Sequence, residues 1–141
     1  MALWLDDNLS QLDRWDDMSP TARACLIEIW LYCRRAKNNG VIRNEKLRKA
    51  SDLLTKKVES ELVQQRWLHL NGTGCGTETC PKGVPGVAIV HDYLQHQESA
   101  TNMTARIEKG REKSRKGNHE RWHAQRGVVD PTCSFCRGES A

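Results

Sequence analysis

From residue 20 to residue 36 apolar side chains recur every third or fourth position: Ala22, Leu26, Ile29, Trp30, Cys33 and Ala36 form one stripe, with Arg23, Glu28, Arg34 and Arg35 mostly off it. That spacing predicts the central helix of a small core. Ser19-Pro20 marks its start, because a hydroxyl at the cap accepts an orphan amide and proline is tolerated at the first helical position. Asn38-Asn39-Gly40 marks its end. Val41-Ile42 allows a very short strand, and a second short helix fits Asn44 to Ala50. Ser51 or Thr55 can cap a third helix, in which Leu54, Val58 and Leu62 make a narrow buried stripe while Lys56, Lys57, Ser60, Gln64 and Gln65 point outwards.

Trp67 to Leu70 alternates weakly, residues 71–86 are rich in glycine and contain Pro81 and Pro85, and Val87 to Val90 favours a strand. This reads as a hairpin with a long tip. Helix, short strand, helix, helix and hairpin, in that order, make a winged helix-turn-helix with residues 71–86 as the wing, so the fold class is mainly α with a small β-hairpin. From Ser99 the pattern changes. Residues 103–116 favour a charged helix with few apolar anchors, interrupted at Gly110 and Gly117 and projecting from the core.

Composition narrows the functional classes. With 141 residues the chain supports one modest domain plus an appendage, and a large catalytic cleft is not expected. Its 38% hydrophobic and 28% charged residues, with a mean hydropathy of -0.71, describe a polar chain. The longest apolar run, Ala24 to Tyr32, is broken by Glu28, so no spanning helix is expected. The opening MALWLDD carries acids where an export signal carries basic residues, and a cytoplasmic location is the expectation. In a reducing compartment the six cysteines read as thiols or metal ligands.

The net charge of +4 conceals a segregation: residues 1–33 hold two basic residues and six acids, whereas residues 34–57 hold nine basic residues and two acids. Residues 58–100 hold two against five, and residues 101–141 nine against five. Basic zones of this kind commonly neutralise phosphates and bind double-stranded DNA by releasing counterions, the alternative being a solvated helix face. Candidate contacts are Arg43, Lys46, Lys49, Lys56, Lys57, Gln64 and Gln65 around the third helix, Lys82 in the wing, and Lys109, Lys113, Arg115 and Lys116 on the arm. Glu59 and Glu61 oppose that orientation of the third helix, since phosphates repel them. A charged helix with so little apolar surface gains stability from DNA phosphates or from a second copy of the chain, which makes a homodimer the other expectation for the arm.

The strongest local pattern is His119-x3-His123-x9-Cys133-x2-Cys136. Two histidines four positions apart share one face of a helix, and Asp130-Pro131 turns the chain so that a Cys-x-x-Cys knuckle closes a tetrahedron. Thiolate and imidazole suit zinc, and four protein ligands leave no open position for a catalytic water. Cys75 and Cys80 form a looser pair, and with His69 and His91 on the flanking strands they offer a second metal set, the alternative being two free thiols. Cys25 and Cys33 fall in the core helix as small hydrophobes. The parts are then residues 1–98, the winged domain; 99–117, the basic helical arm; and 118–141, the zinc knuckle.

Catalytic motifs do not emerge. There is no glycine-rich phosphate loop, nucleophile elbow or His-Glu-x-x-His, and Asp6-Asp7 and Asp16-Asp17 read as caps and solvated turns. A zinc-dependent HNH nuclease needs one more histidine than the tail holds once His119 and His123 are ligands. The chain is therefore not expected to be an enzyme.

Trp4-Leu5-Asp6-Asp7, Asn39-Gly40-Val41-Ile42, Glu61-Leu62-Val63 before Trp67, and His91-Asp92-Tyr93-Leu94-Gln95-His96-Gln97 together resemble the small winged-helix proteins of actinobacterial phages. The tail is similar too, from Gly117-Asn118-His119-Glu120-Arg121-Trp122-His123 through Arg126-Gly127 and Asp130-Pro131 to Cys133 and Cys136. These pieces are short, cover most of the chain, and carry the resemblance by their order. One departure is the spacing of Cys75 and Cys80, four residues where the resemblance leads one to expect two. The resemblance implies a DNA-binding protein akin to replisome organisers, acting in replication initiation or transcriptional regulation. The alternative from another class is a zinc-dependent adaptor that docks a host or phage protein through the knuckle and Trp122.

Overall fold

The computed structural model describes residues 12–97 and 99–138, the side chains of residues 95 and 96 excepted. Trp4-Leu5-Asp6-Asp7 lies outside the described residues. After a single helical turn, α1 (Asp13–Asp16), the Ser19 hydroxyl accepts the Ala22 amide at 3.2 Å and Pro20 opens α2 (Pro20–Ala36). The helix stops earlier than Asn38. Lys37 itself takes the left-handed cap conformation, with φ +51°. Ala36, its last residue, is exposed, whereas Cys25 and Arg34 join the buried face with Ala22, Leu26, Ile29, Trp30 and Cys33. Helical periodicity puts Arg34 off the stripe, yet it is buried. It is 1% exposed, the guanidinium Nε and Nη1 included, because its flank of the helix is covered as well.

Gly40 has φ +84°, and a Cβ there would lie 2.5 Å from the Tyr93 Cβ, so both backbone and space demand glycine. It leads into β1 (Val41–Arg43), followed directly by α3 (Asn44–Ala50). Thr55, rather than Ser51, caps α4 (Lys56–Gln64) by accepting the Val58 amide at 3.3 Å. Ser51 instead accepts the Leu53 amide and donates to Glu28 of α2. Leu47, Leu54, Val58 and Leu62 bring α3 and α4 against α2.

β2 (Leu68–His69) is shorter than the predicted strand, because the Leu70 amide turns to the Thr73 hydroxyl at 2.7 Å instead of a neighbouring strand. β3 (Val87–Val90) pairs antiparallel with both others, giving the order β1-β3-β2. Val41 faces Ile89 and Leu68 faces Val90. Trp67 sits where sheet and helices meet. Its ring lies edge-on to Trp15 at 6.2 Å and to Trp30 at 6.1 Å, with the Arg14 guanidinium 4.0 Å above it. A short helix, α5 (Tyr93–His96), follows β3.

The chain divides into two compact units, Met1–Ala100 and Thr101–Ala141. α6 (Ala100–Trp122) runs unbroken through Gly110 and Gly117, where the sequence predicts interruptions. Glycine costs roughly 1 kcal/mol against alanine in a helix but removes no hydrogen bond, and the flanking Arg, Lys and Glu residues are good helix formers. A 3-10 turn, Ala124–Arg126, follows. Among the described residues of the second unit only Met103 is buried. The described chain is mainly helical with one small sheet, and none of its helices is long and apolar enough to cross a membrane.

Candidate metal centres

The register of β2 and β3 assembles the first centre. His69 faces Ile89, so His91, two residues further along, shares its side of the sheet as a diagonal neighbour. The rings meet, with His69 Nε2 3.1 Å from His91 Nδ1. The connection from Leu70 to Gly86 then folds back. Gly83 lies so close to the strand that a Cβ would fall 2.1 Å from the His69 carbonyl oxygen, and its amide donates to the Thr73 carbonyl at 3.1 Å. This close approach carries Cys80 to 3.4 Å from His91 Nδ1 and brings in Cys75. One donor atom from each of His69, Cys75, Cys80 and His91 lies within 4.8 Å of the others, and all but Cys75 are buried. Burial pushes the His69 pKa down, which keeps the imidazole in its neutral, ligating form, and pushes the Cys80 thiol up to about 11. Asp92 Oδ2 stands 3.0 Å from His91 Nε2, the ring nitrogen facing away from the cluster. That carboxylate fixes the tautomer in which Nδ1 carries the free lone pair.

The second centre is built at the end of α6. The His119 and His123 rings meet edge-on with centroids 5.6 Å apart, His123 standing just past the last helical residue. Gly127, with φ +65°, reverses the chain, and the Val128 amide returns to the His123 carbonyl at 3.0 Å. The Asp130 carboxylate then accepts both the amide and the hydroxyl of Thr132 at 2.7 Å, which lowers its pKa and holds the turn that begins the knuckle. Cys133 Sγ and Cys136 Sγ lie 3.6 and 3.4 Å from His119 Nδ1, and Cys136 Sγ lies 3.4 Å from His123 Nδ1. All four donors are again within 4.8 Å of one another, here with every residue half-buried. Asp130 Oδ2 is 3.8 Å from His123 Nε2, and the Phe135 ring tilts over His119 at 5.7 Å.

Both clusters could bind a metal ion, and their dimensions suit a tetrahedron. With bonds of about 2.0 Å to imidazole and about 2.3 Å to thiolate, the nitrogen–sulfur edges are about 3.5 Å and the nitrogen–nitrogen edges about 3.3 Å. The observed separations lie near those edges. The sequence names all eight residues that the two clusters bring together, the set of His69, Cys75, Cys80 and His91 only as an alternative to free thiols; it misses the placement of Asp92 and Asp130 behind His91 and His123, for which, in the case of Asp92, an aspartate directly after His91 was the available signal.

The candidate DNA contacts are distributed over several elements. Arg43, Lys46, Lys49, Lys56, Lys57, Gln64 and Lys82 are exposed, and Gln65 is half-buried. On α4, Lys56, Ser60 and Gln64 follow one another at four-residue spacing along one row. Glu61 is turned away to the start of α2, where it accepts the Ser19 amide at 2.9 Å and hydroxyl at 3.2 Å. Lys109, Lys113, Arg115 and Lys116 are exposed on α6, where Arg115 pairs with Glu108 at 2.9 Å. Compared with protein-family models, curated proteins and solved structures, the chain matches none.

Proposed function

We propose that the chain is a DNA-binding protein of winged-helix type, stabilised by two structural zinc ions, that acts in replication initiation or transcriptional control. The observation carrying this reading is the order α2-β1-α3-α4-β2-β3 around a sheet ordered β1-β3-β2, with α4 presenting Lys56, Lys57, Ser60 and Gln64 to solvent. Helix-turn-helix proteins lay their second helix in the major groove, where long donors reach phosphates and base edges. Diversion of Glu61 to Ser19 removes one of the two acids that opposed this orientation. Zinc is favoured by mixed thiolate and imidazole donors, and four-donor closure favours a structural over a catalytic role. The phage-protein resemblance of the motifs points the same way. Exposed Val128 and Val129 favour the adaptor reading as the second choice.

Fluorescence anisotropy with labelled duplex decides between them. Lys56→Ala with Lys57→Ala should weaken specific and random duplex alike and reduce the salt dependence by roughly one unit of slope for each phosphate no longer neutralised. Gln64→Ala should cost roughly 1 to 3 kcal/mol at a single base pair. Duplex affinity indifferent to salt and to all three changes would leave the adaptor reading in its place.

A further inference from the structure

The second unit carries a side chain that neither the metal nor a core explains. Trp122, the last residue of α6, is 49% exposed, and the Arg126 guanidinium sits 4.4 Å from its ring centre. Asn118, Arg115 and Arg111 lie four, seven and eleven positions before Trp122 and so share its face of the helix, while His119 and His123 point to the adjoining one. Arg111, Ser114, Arg115 and Asn118 line a shallow groove along this side. Glu108 closes its far end, 3.9 Å from Arg111 and 2.9 Å from Arg115, as an internal carboxylate seated on two guanidinium groups. The stripe thus runs from paired arginines through an amide donor to an indole held by a third arginine.

We propose that this face of α6 binds an unpaired nucleobase and its flanking phosphates, with Trp122 stacking on the base and Arg111 and Arg115 neutralising the phosphates. Charge supports a polyanion: residues 101–141 hold nine basic residues against five acids. The indole selects an unpaired base, because bases in a duplex already stack on their neighbours and offer a helix only their edges. Neighbouring His123 belongs to the metal centre, so a bound metal fixes the end of α6 and spares the indole the entropy of being ordered on binding. Glu108 competes with the phosphates for the same two arginines. The site uses different residues from the α4 surface, so it extends the proposed function without depending on duplex recognition by α4.

The test uses the full-length zinc-loaded chain with labelled oligo(dT), oligo(U) of equal length and a random duplex, read by anisotropy at low and moderate salt. Trp122→Ala should lower single-strand affinity roughly 5- to 150-fold, the range of one base–aromatic stack, and leave duplex affinity unchanged. Trp122→Phe should recover most of the loss, and Glu108→Gln should tighten single-strand binding. Metal content and helicity of each variant, unchanged, exclude misfolding as the cause. Tighter binding of oligo(dT) assigns the strand as DNA, and tighter binding of oligo(U) as RNA. Single-strand affinity that survives Trp122→Ala, or that falls equally for strand and duplex, overturns the proposal and returns Trp122 to the adaptor reading. A wild-type chain that binds oligonucleotide through Trp122 yet no duplex would refute the α4 reading and leave this one standing.

Discussion

The two His/Cys centres have the same donors and opposite foundations. His69 and His91 are set by a strand register that the core already enforces, with Trp67 edge-on to His91 at 6.2 Å and three of the four ligands buried. His119, His123, Cys133 and Cys136 are all half-buried, joined by a helix end and a chain of turns in a unit where Met103 is the one buried residue described. In the first centre the fold itself assembles the four donors, and a metal would add to a structure that packing already supports. In the second, a bound metal would have to do what packing does elsewhere, since binding energy at a structural zinc site becomes folding energy.

That contrast breaks most visibly in the tail. Cys133→Ser with Cys136→Ser should remove one of two zinc ions per chain and open residues 123–138 to proteolysis while the first unit keeps its helicity. The energy removed is of the order of 10 kcal/mol of metal binding at neutral pH, far more than the local turns supply. Unchanged metal content, or a protected tail without metal, would erase the difference between the centres.

Cys80→Ser should have the intermediate effect. It should release the other ion and expose the 71–86 connection to protease, yet α2, α3 and α4 should persist because Leu26, Ile29, Trp30 and Leu62 pack without it. Collapse of the whole first unit would show that this metal, too, is a precondition of folding. A chelator added to the wild type sharpens the point kinetically. Zinc should leave in two phases, the half-buried tail site first, and single-phase release would contradict the ranking by burial.

The smallest effect belongs to a hydrogen-bonded pair that supplies no donor to either centre. The Ser19 amide and hydroxyl hold the Glu61 carboxyl below its ordinary pKa. A depressed carboxyl pKa contributes stability that is present above the unfolded value and lost as pH falls through the folded one. The stability difference between wild type and Glu61→Gln should therefore be present at neutral pH and close below roughly pH 4. A difference that persists in acid would mean that the carboxylate charge is irrelevant to this cap.

Local chemistry is legible in the sequence wherever a few neighbouring residues decide the outcome. Ser19-Pro20 starts α2, Asn44 to Ala50 is α3, and the tail histidines and cysteines meet because their spacings are those of one helix face and one tight turn. What the pattern misses depends on long-range surroundings. Arg34 looks like a surface residue until both flanks of α2 are covered. The glycines of α6 look like breaks until the continuous hydrogen-bonded ladder around them is seen. Cys75 and Cys80 lack certain partners in the sequence because His69 and His91 stand 22 positions apart, a gap that only the pairing of β2 with β3 closes.

The approach of Trp67 to His91 also gives the molecule an optical reporter. The indole lies edge-on to the imidazole at 6.2 Å and is in ring contact with Trp15 and Trp30. An open-shell ion such as cobalt(II), seated on His91 Nδ1, would therefore draw excitation from the core tryptophans as a group, so in a chain carrying Cys133→Ser and Cys136→Ser, with no ion expected beside Trp122, occupancy of the buried centre can be followed as emission quenching without a label.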